Sequence, residues 1–197
     1  MPIEIFLALL VFAFTTSITP GPNNMMLFAS GVNFGFVRTI PHMIGIGIGF
    51  FVLLIAVGFG LGALLEAVPL VYTVLKFAGG AYLLWIAWKI GTARSIGEGK
   101  AGTRPMRFLE AAAFQWVNPK AWVMAVSAMA TYTDPRNYTL SVLLVGVAFA
   151  LVNFPSVSTW AGFGSALRQW LSDPARLKWF NVTMALLLVA SLWPMLR

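Results

Sequence analysis

The 197-residue chain contains no cysteine, a single histidine and few charged residues, which make up only 10% of the sequence. Without cysteine, disulfide bonds, thiolate nucleophiles and thiolate metal sites are excluded. A single histidine also leaves no histidine-rich metal cluster. A soluble domain carries about 25% charged residues, which keep its surface hydrated. The composition therefore excludes a water-soluble globule, a disordered chain and a secreted disulfide scaffold.

Apolar residues dominate instead: 59% of the chain is hydrophobic and the mean hydropathy is +0.84. The net charge of +7 is interpreted by position, because basic residues in membrane proteins record orientation. Nucleic acid is a poor explanation for this charge when the apolar surface has to lie in lipid. We predict an all-α integral membrane protein surrounded by membrane lipid, with no nucleic-acid partner, no cofactor and no metal.

Long runs without charge predict the membrane spans. Four runs lack Asp, Glu, Lys and Arg, at residues 5–37, 39–65, 137–167 and 179–196, and two apolar stretches, 70–90 and 108–130, carry two charges each. A spanning helix needs about 20 residues, so six transmembrane helices are predicted. Strand-like alternation is absent, which argues against a barrel.

Basic residues are concentrated on one predicted face of the membrane. The loops after the first, third and fifth spans, with the residue just before the third loop, hold nine of the thirteen basic residues: Arg38, Lys89, Arg94, Lys100, Arg104, Arg107, Arg168, Arg176 and Lys178. By the positive-inside rule this face is cytoplasmic. Both termini are therefore predicted to be periplasmic, on the extracytoplasmic side.

One polar, glycine-rich segment divides the chain into two halves. We predict a first three-helix repeat over residues 1–91, a cytoplasmic basic linker over residues 92–107 and a second three-helix repeat over residues 108–197. Three spans are an odd number, so the two halves must have opposite orientations. The predicted fold is one membrane domain of two inverted three-helix repeats.

The sharpest local feature is the sequence TPGPNN at residues 19–24, inside the longest uncharged run. Its two prolines remove backbone donors and disfavour helical geometry in the residues before them. Gly21 lets the chain turn, and Pro22 suits the first position of a new helix. Such a break is tolerated in lipid only where protein or a water-filled cavity satisfies the backbone.

A second break is predicted at the sequence NPK, residues 118–120, in the first span of the second half. It lies at a depth similar to that of the first break. Discontinuous helices at matching positions of two inverted halves are the best sequence indication of a transporter's binding site. Ordinary packing kinks are the alternative, but the matched pair favours a site.

These segments resemble the LysE/RhtB family of amino-acid exporters from bacterial inner membranes. The matching segments are TPGPNN at residues 19–24, FGF and Arg38 at 34–38, the glycine-bearing second span, GGAYLLWIAWK at 79–89, FQWVNPKAW at 114–122 and the leucine-rich C-terminal helix. The resemblance covers essentially the whole chain and is greatest to the branch that exports cysteine and O-acetylserine. It implies export of amino acids or close derivatives, coupled to the proton gradient as in an antiporter.

An amino-acid zwitterion needs donors for its carboxylate and acceptors for its ammonium group. Helices that restart at Pro22 and Pro119 present free N–H groups and a positive dipole end, where we expect the carboxylate. Exposed carbonyls of residues 16–19 are expected to take the ammonium group. The predicted substrate-binding residues are Thr19, Pro20, Gly21, Pro22, Asn23, Asn24, Tyr82, Gln115, Asn118, Pro119, Lys120 and Asn153.

Two charged residues within the apolar stretches have more than one interpretation. An unpaired ammonium at Lys120 would be costly inside the membrane, so it either holds the substrate carboxylate or caps the broken first helix. Glu110 is a weak candidate for proton coupling, although pairing with Arg107 would also explain it. Tyr82 and Asn153 are polar groups within spans that either line the cavity or bond between helices.

Small residues one turn apart recur in the second span. The pairs Gly45/Gly49 and Gly58/Gly62 permit close helix contact, either inside the monomer or across a homodimer. The sequence favours neither arrangement over the other.

A secondary transporter is the leading functional interpretation, and a membrane channel or small-solute pore is the alternative. No ring of acidic residues or carbonyl-filter sequence supports a channel. A membrane enzyme would need groups for acid–base or metal chemistry, and the sequence has no cysteine and no intramembrane acid pair. An ATP-driven pump would need a GxxxxGK[ST] loop, which is absent. We therefore predict no enzyme activity.

Overall fold

The computed structural model describes residues 1–67, 69–94, 96 and 104–193, and this part of the chain is helical without strands. Its helices are α1 (Ile3–Ile18), α2 (Pro22–Phe34), α3 (Phe36–Ala56), α4 (Gly62–Ala67), α5 (Pro69–Thr92), α6 (Phe108–Phe114), α7 (Pro119–Tyr132), α8 (Tyr138–Leu167) and α9 (Pro174–Ala190). The prediction of an all-α protein is confirmed. Half of the predicted linker, including Lys100, lies outside the described residues, as does Arg197.

Two helical segments are long and apolar enough to cross a membrane: Phe36–Leu61, which is α3 with the kinked turn after it, and Pro135–Leu167, which contains α8. Helices α1 and α2 pass the same test together, but they are bent by 55° at the break between them. The described residues therefore contain two candidate spans, or three if the bent pair counts as one. The arrangement of six spans stays a prediction.

Large apolar side chains cover much of the outer surface of the bundle. Val11 on α1 is 63% exposed and Leu151 on α8 is 70% exposed, and similar residues recur on every long helix. Soluble monomers rarely expose extensive contiguous apolar surface, because it promotes association in water. This is the surface expected of helices that face lipid.

Helix α8 packs along α1, α2 and α3, and its contact with α2 depends on glycine. A Cβ atom on Gly31 of α2 would lie 2.2 Å from the carbonyl oxygen of Ala161, and one on Gly164 of α8 would lie 2.2 Å from that of Phe28. Neither backbone position leaves room for a side chain. The two helices therefore approach backbone to backbone, as small residues permit in membrane proteins.

The contact between α3 and α6 also depends on glycine. A Cβ atom on Gly45 would lie 2.4 Å from the carbonyl oxygen of Phe108, and one on Gly49 would lie 2.5 Å from the Cα of Ala112. The close contact predicted for this glycine pair thus forms within one chain. Helix α5 packs against α9 in a third contact.

Candidate functional site

A cavity lies where the two helix breaks meet, bounded by α1, α2, α3, α7 and α8. About 340 Å³ lies between its walls, including the part open to the surroundings, and about 30 Å³ of this can hold the centre of a water molecule. Seven of the twelve predicted substrate-binding residues line it: Gly21, Asn23, Asn24, Gln115, Asn118, Lys120 and Asn153. Thr16, Ser17, Phe50, Ala121, Met124 and Val157 complete the lining. The packing of the bundle thus brings the two sequence motifs to one place.

The first break follows from its prolines. Helix α1 ends at Ile18, and α2 begins with Pro22 at its first position, where the missing N–H costs no helical hydrogen bond. Gly21 precedes α2 with extended backbone, and no side chain caps this helix. The backbone N–H groups of Asn23 and Asn24 therefore have no hydrogen-bond partner among the described residues. They form the positive end of a helix at the cavity.

The carbonyl groups at the end of α1 are largely satisfied by side chains. Asn24 Nδ2 donates to the carbonyls of Ser17 at 2.8 Å and Thr19 at 2.9 Å. Trp160 Nε1 on α8 donates to the carbonyl of Ile18 at 3.0 Å. These three carbonyls were expected to be exposed and to accept the substrate ammonium. The structure differs because a helix end in apolar surroundings needs partners from the protein itself.

The second break has a different local cause. Helix α6 tightens into a 3₁₀ turn, Gln115–Val117, and Asn118 then adopts an extended conformation before α7 begins at Pro119. The side-chain oxygen of Asn118 accepts a hydrogen bond from the Lys120 backbone N–H at 3.2 Å. Asn118 is therefore the N-cap of α7, as its residue type and the proline after it favour.

Lys120 reaches from the second break to the first. Its Nζ donates a hydrogen bond to the carbonyl of Thr19 at 2.5 Å, and its side chain is half-buried. A Cβ atom on Gly21 would lie 2.7 Å from Lys120 Cδ. The absence of a side chain at Gly21 therefore makes room for the lysine. The hydrogen bond from Lys120 to the Thr19 carbonyl is the contact expected if the lysine caps the broken first helix.

Asn23 and Gln115 form a second bridge between the breaks. Asn23 Nδ2 donates to Gln115 Oε1 at 2.8 Å, and Gln115 Nε2 donates back to Asn23 Oδ1 at 3.1 Å. Gln115 Nε2 also donates to the carbonyl of Ala111 at 2.9 Å. The side chain of Gln115 is fully buried, so these bonds hold it in a fixed orientation.

Other predicted site residues lie outside the cavity lining. The ring of Tyr82 stacks on Trp85 and packs against Phe114, with ring centroids 5.5 Å and 5.7 Å apart. Thr19 and Pro20 are exposed, and Thr19 takes part through its carbonyl. Pro22 and Pro119 begin their helices without lining the cavity.

Glu110 also lies outside the cavity lining, at the start of α6. Its carboxylate forms an ion pair with Arg104 and accepts a hydrogen bond from the backbone N–H of Arg107 at 2.9 Å. The expected pairing with Arg107 is thus present through the backbone N–H, whereas the ion pair is with Arg104. Glu110 is the third residue of α6, so its carboxylate can accept a hydrogen bond from the backbone of Arg107, the residue before the helix. Arg104 contacts the same carboxylate from the linker.

Sequence reasoning missed two contributors to the site. The side chain of Ser17 lines the cavity, although only its carbonyl was expected to take part, and Trp160, which was not predicted, holds the end of α1. Ser17 had a detectable signal, since it is a polar residue one turn before the first proline motif. Trp160 had none, because its contact with Ile18 joins residues 142 positions apart.

Comparison with known proteins gives a consistent result. The family described as "LysE type translocator" matches residues 14–190. A protein of Escherichia coli O1:K1 / APEC named "Cysteine/O-acetylserine efflux protein" is 32% identical over 176 residues, which cover 88% of each chain. The proteins of the same name from Escherichia coli strain K12 and Shigella flexneri serotype 5b are each 31% identical over the same share. No solved structure is a significant match.

Proposed function

The chain belongs to the family of LysE type translocators, and from this premise we propose that it exports cysteine, O-acetylserine or closely similar small amino acids. Membership of this family makes the protein an amino-acid efflux transporter and not an enzyme. The finer proposal is that one zwitterionic substrate binds in the cavity where the two helix breaks meet. We place the transporter in the bacterial inner membrane.

The observation that carries this proposal is the convergence of both breaks on one polar cavity inside an apolar bundle. Uncapped N–H groups of Asn23 and Asn24 and the ammonium of Lys120 lie at the cavity. Helix N-termini and ammonium groups both favour anions. We propose that they bind the substrate carboxylate, with the side chain of Asn118 holding α7 in place.

Lys120 would then exchange one partner for another during transport. In the structure its Nζ donates to the carbonyl of Thr19. Asn24 donates to the same carbonyl, so this carbonyl keeps a hydrogen bond when Lys120 turns to a substrate carboxylate. Lys120 would thus act first as the cap of the broken helix and then as the ligand of the substrate carboxylate. These are the two roles that the sequence left open.

Inverted repeats are part of the proposal, and two helix contacts support them. Helix α3 runs in the same direction as α6, since Gly45 faces Phe108 and Gly49 faces Ala112. Helix α8 also packs against α1. An inversion that exchanges the two halves would convert the contact of α3 with α6 into that of α8 with α1, because α6 and α1 both precede the break of their half.

The remaining parts of the proposal concern organisation and energy. We propose repeats over residues 1–91 and 108–197, joined by a cytoplasmic linker over residues 92–107, with both termini periplasmic. We further propose that the proton gradient drives export. Lys120 is the titratable residue that lines the cavity, whereas Glu110 is held by Arg104 outside it. Lys120 is therefore the favoured coupling residue, and Glu110 is the second candidate.

Reconstituted transport tests the proposal. Purified protein in proteoliposomes should catalyse saturable uptake of labelled cysteine or O-acetylserine, and unlabelled substrate inside the vesicles should accelerate it by counterflow. An imposed pH gradient should drive net movement. Flux that rises linearly with concentration and shows no counterflow would instead support the channel alternative.

A further inference from the structure

Asn153 of α8 carries a polar atom that has no partner among the residues that the structure describes. The residue is 6% exposed and lines the cavity. Its Nδ2 donates to Ser17 Oγ at 3.3 Å, whereas its Oδ1 is buried and accepts no hydrogen bond from the described residues. A buried acceptor without a partner costs free energy, so its retention at a binding cavity needs an explanation.

A second free acceptor lies nearby at the end of α1. The carbonyl of Thr16 would normally accept from the N–H four residues later, but that residue is Pro20, which has none. No other donor reaches this carbonyl within the part of the chain that the structure describes. Thr16 itself lines the cavity. The end of a helix is also its negative pole, which favours a cation.

Other acceptors around the cavity are already engaged. Asn24 and Lys120 donate to the carbonyl of Thr19, and the side-chain oxygens of Asn23 and Gln115 accept from each other's amides. An ammonium group placed near these atoms would have to displace existing hydrogen bonds. Near Asn153 and Thr16 it would displace none.

We infer that Asn153 Oδ1, together with the Thr16 carbonyl, binds the ammonium group of the substrate and thereby restricts this cavity to amino acids. The inference rests on the proposed function. The single break in the first span then serves both ends of the zwitterion. The C-terminal end of α1 and Asn153 take the cation, and the N-terminal end of α2 and Lys120 take the carboxylate.

The test compares L-cysteine with 3-mercaptopropionate, which lacks only the amino group. Both are measured as competitors of labelled cysteine transport by the full chain in proteoliposomes. Wild-type protein should bind cysteine roughly ten- to a hundredfold more tightly than the analogue, the range for one hydrogen bond to a charged group. Asn153→Leu, which leaves only the Thr16 carbonyl, should lower this preference roughly tenfold by weakening cysteine while leaving the analogue within about twofold.

Asn33 supplies a matched control. It is 7% exposed and its Oδ1 also lacks a partner in the described part of the chain, but it does not line the cavity. Asn33→Leu should keep the wild-type preference for cysteine. If Asn33→Leu lowers the preference as much as Asn153→Leu does, the effect is not local to the site and the inference is overturned.

Asn153→Asp keeps the size of the side chain and tests ammonium binding by this position even if the leucine variant does not fold. A carboxylate at this position should strengthen the preference for cysteine, because it attracts the ammonium and repels the anionic analogue. An unchanged or weaker preference in Asn153→Asp overturns the inference. An unchanged preference in a folded Asn153→Leu protein does the same. A wild-type protein that transports neither cysteine nor O-acetylserine would instead overturn the proposed function as well.

Discussion

The side chains of Asn23 and Gln115 hydrogen-bond to each other in both directions, at 2.8 Å and 3.1 Å, although 92 positions separate them in the sequence. One residue follows the first helix break and the other precedes the second. Reciprocal amide bonds satisfy both side chains at a buried site, where an unpaired amide would be costly. The pair therefore fixes the distance between the two breaks before any substrate arrives.

The first prediction concerns the coupling within this pair. Asn23→Ala or Gln115→Ala alone should lower the free energy of unfolding by about 1–3 kcal/mol, because each leaves a polar partner unsatisfied. The double variant should lose less than the sum of the two single losses, as expected for residues in contact. Thermal unfolding of the purified variants in detergent measures all three. Strictly additive losses would show that the two residues act independently.

The second prediction concerns Gly21. A methyl group there would overlap the stem of Lys120, so Gly21→Ala should displace the lysine from the carbonyl of Thr19. Because the clash is with a flexible side chain, we expect a melting temperature near that of the wild type. The displaced stem also moves the ammonium away from the position proposed for the substrate carboxylate, so export should fall roughly tenfold, about the value of one hydrogen bond to a charged group.

Gly47→Ala is the control for this experiment, since a Cβ atom at Gly47 would meet nothing within 4 Å. It should leave export unchanged. Equal export by Gly21→Ala and Gly47→Ala would contradict the role assigned to the lysine contact.

The third prediction uses two glycines of α8 that differ only in what they face. Gly164→Ala should destabilise the protein by about 1–3 kcal/mol, because its Cβ would meet the Phe28 backbone rather than a movable side chain. Gly162→Ala should have little effect, since open space surrounds that position. Melting curves of the two variants, recorded in the same detergent, compare them directly. Equal melting temperatures would argue against backbone-to-backbone contact of α2 and α8.

Part of this architecture follows directly from the sequence. Helix breaks at Pro20 and Pro119 were predicted because proline removes a backbone donor whatever its surroundings. The cap at Asn118 has a similar local cause, because an asparagine before a helix-starting proline favours the N-cap position. Helical content and apolar surface follow from composition, and family membership follows from motifs spread along the chain.

The rest depends on packing that no local pattern records. Tyr82 was predicted to be a site residue because it is polar and lies within a span, but hydropathy alone does not determine which face of α5 points to the cavity. Trp160 holds the end of α1 only because α8 packs beside it. The ion pair of Glu110 with Arg104 depends on the path of the linker residues just before α6. The spacing of charges in the sequence does not reveal that path.

The fourth prediction concerns orientation in the membrane. A reporter that is active only outside the cytoplasm should be active when fused after Arg197 and silent when inserted within residues 95–103. The reason is the concentration of basic residues on the linker side. The reverse pattern would contradict both the six-span arrangement and the inverted repeats.

Substrate binding by Lys120 is the central claim, and Lys120→Met is the variant that isolates it. Methionine has a similar volume, and removing an intramembrane charge relieves a desolvation cost. The carbonyl of Thr19 also keeps its bond from Asn24, so this variant should fold. Lys76→Met, which removes a half-buried lysine of α5 away from the cavity, is the control.

The most direct measurement is therefore the melting temperature in detergent with and without L-cysteine. Wild-type protein and Lys76→Met should melt at a higher temperature when cysteine is present, because a ligand that binds the folded state stabilises it. Lys120→Met should melt near the wild-type temperature and show no shift with cysteine. A Lys120→Met protein that melts like the wild type and still shifts upward with cysteine would contradict the binding of the substrate carboxylate by Lys120.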